Sequence, residues 1–411
     1  MRFFLILLLI GILTGCHATS NNHVQTGLDR VEEFHALFAG KRLGIIANHT
    51  AYDSKGMFIV DVFRRIPDVK ISALFGPEHG FRGSHSAGVK VAERNAFLDS
   101  IPIYSLYGKT LKPTPEMLKN VDMLVFDIQD IGARFYTYIW TMALAMEAAA
   151  QQGIPFIVLD RPNPIDGVQV EGAVLDTAFA SFVGLYPIPV RHGMTVGELA
   201  RMFNGEGWLK NGIKAQLTVI PMKGWKRNEW FDQTGLKFIP PSPNMPNLET
   251  ATVYPGMCLI EGTNVSEGRG TNEPFLQFGA PWIQSDALLA RLQTYHLPGV
   301  QFSTVSYVPK SMPGKAVHPK FQDETCYGLK LKVTDREAFK PFLTGVRIVQ
   351  SLHALYPQQF SWRAKHFDRL VGSNDLRKMI STDESLDKYF EKCNNEVETF
   401  KKLRMKYFLY K

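Results

Sequence analysis

The chain is poor in cysteine: four in 411 residues, at positions 16, 258, 326 and 393. The last three are far apart and form no CxxC pair. Neither a zinc cluster nor a disulfide framework is therefore indicated, and three buried thiols is the simpler reading. Dense Lys/Arg blocks are also missing. The net charge of +7 is diffuse, which argues against a nucleic-acid-binding arm. There is no G-x-S-x-G elbow, S-x-x-K, H-E-x-x-H or P-loop, and no G-x-G-x-x-G follows the first apolar run. Serine-hydrolase, zinc-protease and dinucleotide readings lose their usual support. Among His49, His79, His85 and His192 no pair has a recognised metal-ligand spacing, so no metal and no cofactor is expected. No internal repeat is present.

At the start, Met1-Arg2 precedes FFLILLLIGIL and then Thr14-Gly15-Cys16. A basic start, a short apolar core and small residues before a break make a secretory leader, too short to span a bilayer stably. The ending Leu13-Thr14-Gly15-Cys16 resembles the bacterial lipobox. On that reading residues 1–15 are a lipoprotein signal peptide, Cys16 is acylated, and residues 16–27 are a polar tether holding the protein to a membrane in the cell envelope.

What the sequence has in quantity is apolar material: 45% hydrophobic and 12% aromatic residues, ample for a core. From residue 28, KRLGIIANHT, VKISALFG, IPIYSLYG, VDMLVFDIQD and IPFIVLDRP read as strands buried on both faces. Helical stretches near 56–66 and 135–153 lie between them, the second stopping at Gly153-Ile154-Pro155. The alternation predicts an α/β fold with a Rossmann-like, doubly wound, mostly parallel sheet over 28–295. Thr195 and Glu198 have the spacing of a capping box. From 296 to 411 the texture changes: VQFSTVSYVP and YGLKLKVTD alternate as antiparallel strands and helices follow. This predicts a second, smaller α+β domain.

Ligands of such sheets bind beyond the carboxyl ends of the strands. Four strand ends carry polar groups: Asn48 and His49; Glu78, His79 and Arg82; Asp127, Asp130 and Arg134; Asp160, Arg161 and Asn163. In GPEHGFRG, Gly and Pro force a turn that displays an acid, an imidazole and a guanidinium together. Glu261 and Glu267 bracket GTNVS, with Arg269, Asn272 and Glu273 just beyond. Each of these residues has a structural alternative, such as an ion pair, a cap or a turn. Their concentration favours a site. Paired carboxylates among amides, guanidinium groups and aromatic rings are what glycoside hydrolysis requires: one carboxyl gives a proton to the glycosidic oxygen, and another attacks the sugar, orients water or stabilises the developing positive charge.

Taken together, FGPEHGFRG, FDIQDIGARFYTYIWTM, LDRPNPIDG, PSPNMPN and EGTNVSEGRGTNEPF resemble the NamZ-type exo-β-N-acetylmuramidases over nearly the whole chain from residue 28. The resemblance implies a cleft between a Rossmann-like domain and a smaller C-terminal domain. It also implies release of terminal N-acetylmuramic acid from the non-reducing ends of peptidoglycan fragments, without a cofactor. It points to Glu78 as the catalytic acid, with His79 and Arg82 as orienting neighbours. For the second carboxylate, Glu171, Glu261 and Glu267 stay equally open. Asp127, Asp130, Arg134 and Tyr136 would line the sugar pocket. Asn163, Ser266, Arg269 and Asn272 would contact substrate, with Arg269 or Arg134 on the lactyl carboxylate. A mildly basic surface suits an anionic polymer such as the cell wall. The competing readings are a non-catalytic envelope lipoprotein that binds muropeptides and a metal-dependent hydrolase.

Overall fold

A computed structural model describes residues 23–82 and 101–411; the leader, Cys16, most of the tether and His85 lie outside the described residues. The strands, in chain order, are β1 (Arg42–Ala47), β2 (Lys70–Gly76), β3 (Ile103–Ser105), β4 (Met123–Asp127), β5 (Phe156–Leu159), β6 (Glu171–Val174), β7 (Pro189–Arg191), β8 (Leu217–Ile220), β9 (Gln277–Ala280), β10 (Val300–Tyr307) and β11 (Cys326–Val333).

Six of them form one parallel sheet in the order β3-β2-β1-β4-β5-β8. This is the Rossmann order, whose switch point lies between β1 and β4. The strands are short apolar runs because both faces are covered: every residue of β4 and β5 is buried. The helix Tyr138–Gln152 lies within the core and ends on Gly153 in a left-handed conformation at φ 66°. The helix Val196–Gly205 starts with the expected capping box between Thr195 and Glu198.

The second sheet is antiparallel, in the order β10-β11-β9. It draws in Gln277–Ala280, so it begins upstream of residue 296, where the sequence texture changes. The expected alternation of β10 holds only in part: inward and exposed positions switch along each half, but Ser303 and Thr304 are both exposed and the phase changes there. One apolar core runs from the parallel sheet through to the C-terminal helices, and a second fills the sheet's other face.

Close backbone packing joins the halves. Helices Leu248–Met257 and Pro341–Leu355 cross where Gly256 and Gly345 meet; a Cβ at 256 would lie 1.8 Å from the Pro341 carbonyl oxygen. Arg404, near the C-terminus, donates to the carbonyls of Gly167 (2.9 Å), Gly193 (2.6 Å), His192 (3.2 Å) and Val168 (2.8 Å). A buried guanidinium with that many acceptors ties the last helix to the first domain.

Candidate active site

The GPEHGFRG turn follows β2 directly. A Cβ at Gly76 would sit 2.6 Å from the Phe81 nitrogen, so only glycine lets the chain fold back there. The turn closes through the Gly80 amide, which donates to the Pro77 carbonyl at 2.9 Å. His79 and Gly80 both adopt left-handed backbone, at φ 70° and 76°. For histidine that conformation is disfavoured, and such strain gathers at functional positions. The result holds Glu78, half-buried, on the wall of a cleft. Thr137 Oγ1 donates to its Oε2 at 2.8 Å. The Tyr107 hydroxyl lies near it, its own pKa pushed up first by burial and then by the carboxylate. Both contacts are hydroxyls rather than cations.

The cleft has a volume of about 790 Å³, within the range of small-ligand sites. It is lined by Glu78, His79, Tyr107, Tyr136 and Thr137 from the loops after β2 and β3 and the approach to helix Tyr138–Gln152, and by Glu261, Glu267, Arg269, His366 and Arg369 from later in the chain. Edge-to-face rings build one wall: Tyr254 meets Phe275 at 4.8 Å, Phe135 at 5.3 Å and Tyr136 at 6.0 Å. Such rings give a sugar an apolar platform.

The other two carboxylates are tied to cations. Arg269 donates to Glu261 Oε1 from Nε at 2.9 Å and from Nη2 at 2.7 Å, and His366 lies 3.9 Å from Glu261 Oε2. Burial alone would raise the Glu261 carboxyl, but Arg269 and His366 outweigh it and hold it well below the usual carboxylate range. It is a fixed anion. Glu267 pairs with Lys320 at 3.0 Å and with Arg269 at 3.4 Å.

The remaining sequence candidates are placed elsewhere, each for a visible reason. Glu171 accepts from the Phe342 and Leu343 amides at 3.2 and 2.9 Å, the exposed donors at the start of helix Pro341–Leu355; it is a helix anchor outside the cleft. Arg134 is fully buried and donates to the carbonyls of Ala173 (2.6 Å), Ile188 (2.9 Å), Leu370 (2.8 Å) and Val371 (2.8 Å). Both its amino groups are committed to carbonyls, and it does not line the cleft, so it is not placed to meet a lactyl carboxylate there. Asp127 is buried in a two-point pair with Arg161. Asp130 is buried too: it accepts from the Gly132 amide at 2.8 Å, lies 3.8 Å from His192, and has its pKa pushed up to about 7 by burial. Asn163 accepts from the Ile165 amide within its own turn and donates to the Met194 carbonyl of a distant loop, both at 3.1 Å. Ser266 is buried beside Gly279 and Asn272 is exposed; neither lines the cleft. Arg82 is exposed and likewise outside the lining.

The structure thus gathers Glu78, His79, Tyr136, Glu261, Glu267 and Arg269 in one cavity. Tyr107, Thr137, Tyr254, His366 and Arg369 join them without having been singled out in the sequence. Tyr107, Thr137 and Tyr254 sit in no charged cluster; His366 and Arg369 belong to the charged run RAKHFDR at 363–369, a signal the sequence did offer, and only chain folding brings the five together. Among the described residues no three His, Cys, Asp or Glu side chains are grouped so as to hold a metal ion.

A Rossmann-type sheet joined to an antiparallel domain, with three carboxylates and aromatic rings lining one cleft of about 790 Å³, suits an α/β enzyme acting on a sugar. Comparison with known proteins sharpens that class. Residues 43–249 match the N-terminal model, and residues 252–410 the C-terminal model, of the exo-β-N-acetylmuramidase NamZ family. The chain belongs to that family. It is 47% identical over 414 residues to the peptidoglycan β-N-acetylmuramidase NamZ of Bacillus subtilis strain 168, covering 98% of this chain and 97% of the relative. Crystal structures of two DUF1343 family proteins from Bacteroides fragilis NCTC 9343 share the fold. One has a TM-score of 0.87 at 38% identity, covering 95% of this chain and all of its own; the other has 0.79 at 34%, covering 94% and 99%.

Proposed function

We propose that this glycosidase removes a terminal N-acetylmuramic acid from the non-reducing end of peptidoglycan fragments, with Glu78 as the proton-donating carboxyl. The family and the relative's activity support the reaction. The observation that carries the role of Glu78 is its setting: it is the cleft carboxyl that accepts from the Thr137 hydroxyl and lies near that of Tyr107, while the other two carboxylates lining the cleft, Glu261 and Glu267, are already paired with cations. A carboxyl held by neutral donors can carry a proton to the leaving oxygen. One locked to a guanidinium, as Glu261 is, stays an anion and stabilises positive charge developing on the sugar. His79 packs beside Glu78 in the strained turn, and the rings around Tyr254 seat the sugar face.

The test is hydrolysis of a chromogenic β-N-acetylmuramide. Release by the wild-type chain and its loss in Glu78→Gln, with melting temperature unchanged, is the expected result. Normal turnover in Glu78→Gln would refute the assignment.

The leader and the lipobox-like ending at Cys16 support a place in the envelope, tethered to a membrane by lipid and facing its polymeric substrate. Cys16→Ser is expected to move the protein from the membrane to the soluble fraction.

A further inference from the structure

The cations of the cleft differ in how they are satisfied. Arg269 is bound at two points to Glu261. Lys320 pairs with Glu267 and donates to the carbonyls of Ile260 and Val265 at 3.2 and 2.8 Å. Arg363 gives one amino group to the Glu261 carbonyl at 3.3 Å. Arg369 lines the same cavity, is half-buried, and takes no hydrogen-bond or ion-pair partner among the described residues. Elsewhere the buried guanidinium groups are well supplied: Arg134 and Arg404 each reach four carbonyls. A guanidinium partly withdrawn from water and left without an acceptor is unfavourable on its own and becomes favourable when an anion arrives.

Its mounting is rigid. Arg369 sits on helix Ala364–Val371, where three-residue spacing puts Arg363, His366 and Arg369 on one face toward the cavity. Arg134 grips the end of that helix through the Leu370 and Val371 carbonyls. Asp368 is fixed by Arg377 at 2.7 and 2.8 Å. The other cationic candidates on this wall, Lys315 and His318, are exposed on a loop and lack a planar fork for two parallel bonds to a carboxylate.

We propose that Arg369 is the specificity residue that binds the lactyl carboxylate of the terminal sugar, the group that distinguishes N-acetylmuramic acid from N-acetylglucosamine. This rests on the muramidase reading above. Arg134, which does not line the cleft, serves by holding the helix that carries Arg369.

The test compares wild-type, Arg369→Ala and Arg369→Lys chains on a chromogenic β-N-acetylmuramide and on its neutral lactyl-carboxamide analogue. With the acid, Arg369→Ala is expected to raise KM by about 10–100-fold, the worth of a charge-assisted bidentate contact, while kcat and melting temperature stay near wild type. Arg369→Lys should recover part of the loss. With the carboxamide, wild type and Arg369→Ala should have matching KM values. An unchanged KM on the acid, or an equal loss on acid and carboxamide, would overturn the assignment. Calorimetric titration with free N-acetylmuramic acid and N-acetylglucosamine separates this from the catalytic reading. A preference for the acid that disappears in Arg369→Ala supports the role of Arg369 even in a chain that hydrolyses neither glycoside; no preference in the wild type overturns it.

Discussion

Two cavities open beyond the carboxyl ends of the parallel strands, and they differ in how their charges are satisfied. The first, of about 880 Å³, lies at the switch point and is lined by His49, Asp53, Lys55, Gln129, Arg161 and Lys237, among others. The second is the cleft of about 790 Å³ that holds Glu78. By position and size the switch-point crevice has the stronger claim, since open α/β sheets take ligands there. Its charged groups, however, are largely used within the protein. Arg161 is locked to Asp127 and also donates to the Tyr52 carbonyl at 3.1 Å. Asp53 accepts from the Lys55 and Met57 amides at 3.0 and 2.6 Å. His49 lies 2.7 Å from the Pro240 carbonyl, and burial pushes its pKa down. In the cleft, by contrast, Glu78 meets hydroxyls and Arg369 meets no described partner. The chain segment 238–245 separates the two, braced by the Tyr138 hydroxyl donating to the Pro241 carbonyl at 2.6 Å. Fold geometry selects an edge of the sheet; unsatisfied chemistry selects the place along it.

The sharpest way to break this comparison is one amide for one carboxylate in each cavity. Glu78→Gln should lower turnover by about 10²–10⁴-fold, whereas Asp53→Asn should leave it unchanged; steady-state kinetics on a β-N-acetylmuramide would show a reversal at once. Next in size is the buried clamp. Arg134→Ala strands four carbonyls, so unfolding in urea should show a loss of more than about 3 kcal/mol. Lys237→Ala at the crevice rim should stay within about 0.5 kcal/mol, as exposed sites do. A smaller change is expected for Glu171→Ala, which removes a helix anchor. A cost of about 1–2 kcal/mol with kcat retained would separate a structural glutamate from the one proposed as the acid.

A further contrast lies in pH dependence. Burial pushes the Asp130 carboxyl up from its ordinary 3.8 to about 7. Between those values the unfolded chain has released a proton that the folded chain keeps, so this group makes the protein lose stability as pH rises through the window. His192, pushed down from 6.5 to about 3 by burial and nearby arginines, acts in the opposite sense over most of the same range: the unfolded chain binds a proton that the folded chain refuses. Asp130→Asn should therefore make melting temperature climb more steeply between about pH 4 and 7 than it does in the wild type.

Much of this was legible in the residues. Runs such as MLVFD and FIVL are apolar throughout because a doubly covered parallel strand has no wet face, and the Thr195–Glu198 spacing encodes its own cap. The GPEHG turn was legible for the same local reason: glycine and proline leave the backbone few other paths. The division of labour among the charged residues was not. Glu78 and Glu171 are both glutamates within two residues of a glycine in family-like motifs, yet one lines a cleft and the other caps a helix 171 positions further along the chain. Arg134 and Arg369 are not separable by local pattern either.

The sequence by itself determined the strands, the turn that exposes Glu78 and the family to which the chain belongs, because those depend on short-range periodicity, backbone sterics and residue order. Only the tertiary structure decided which carboxylates line the cleft and which arginine keeps its charge available. Whether a buried ion is satisfied depends on carbonyls and counter-charges contributed by distant parts of the chain.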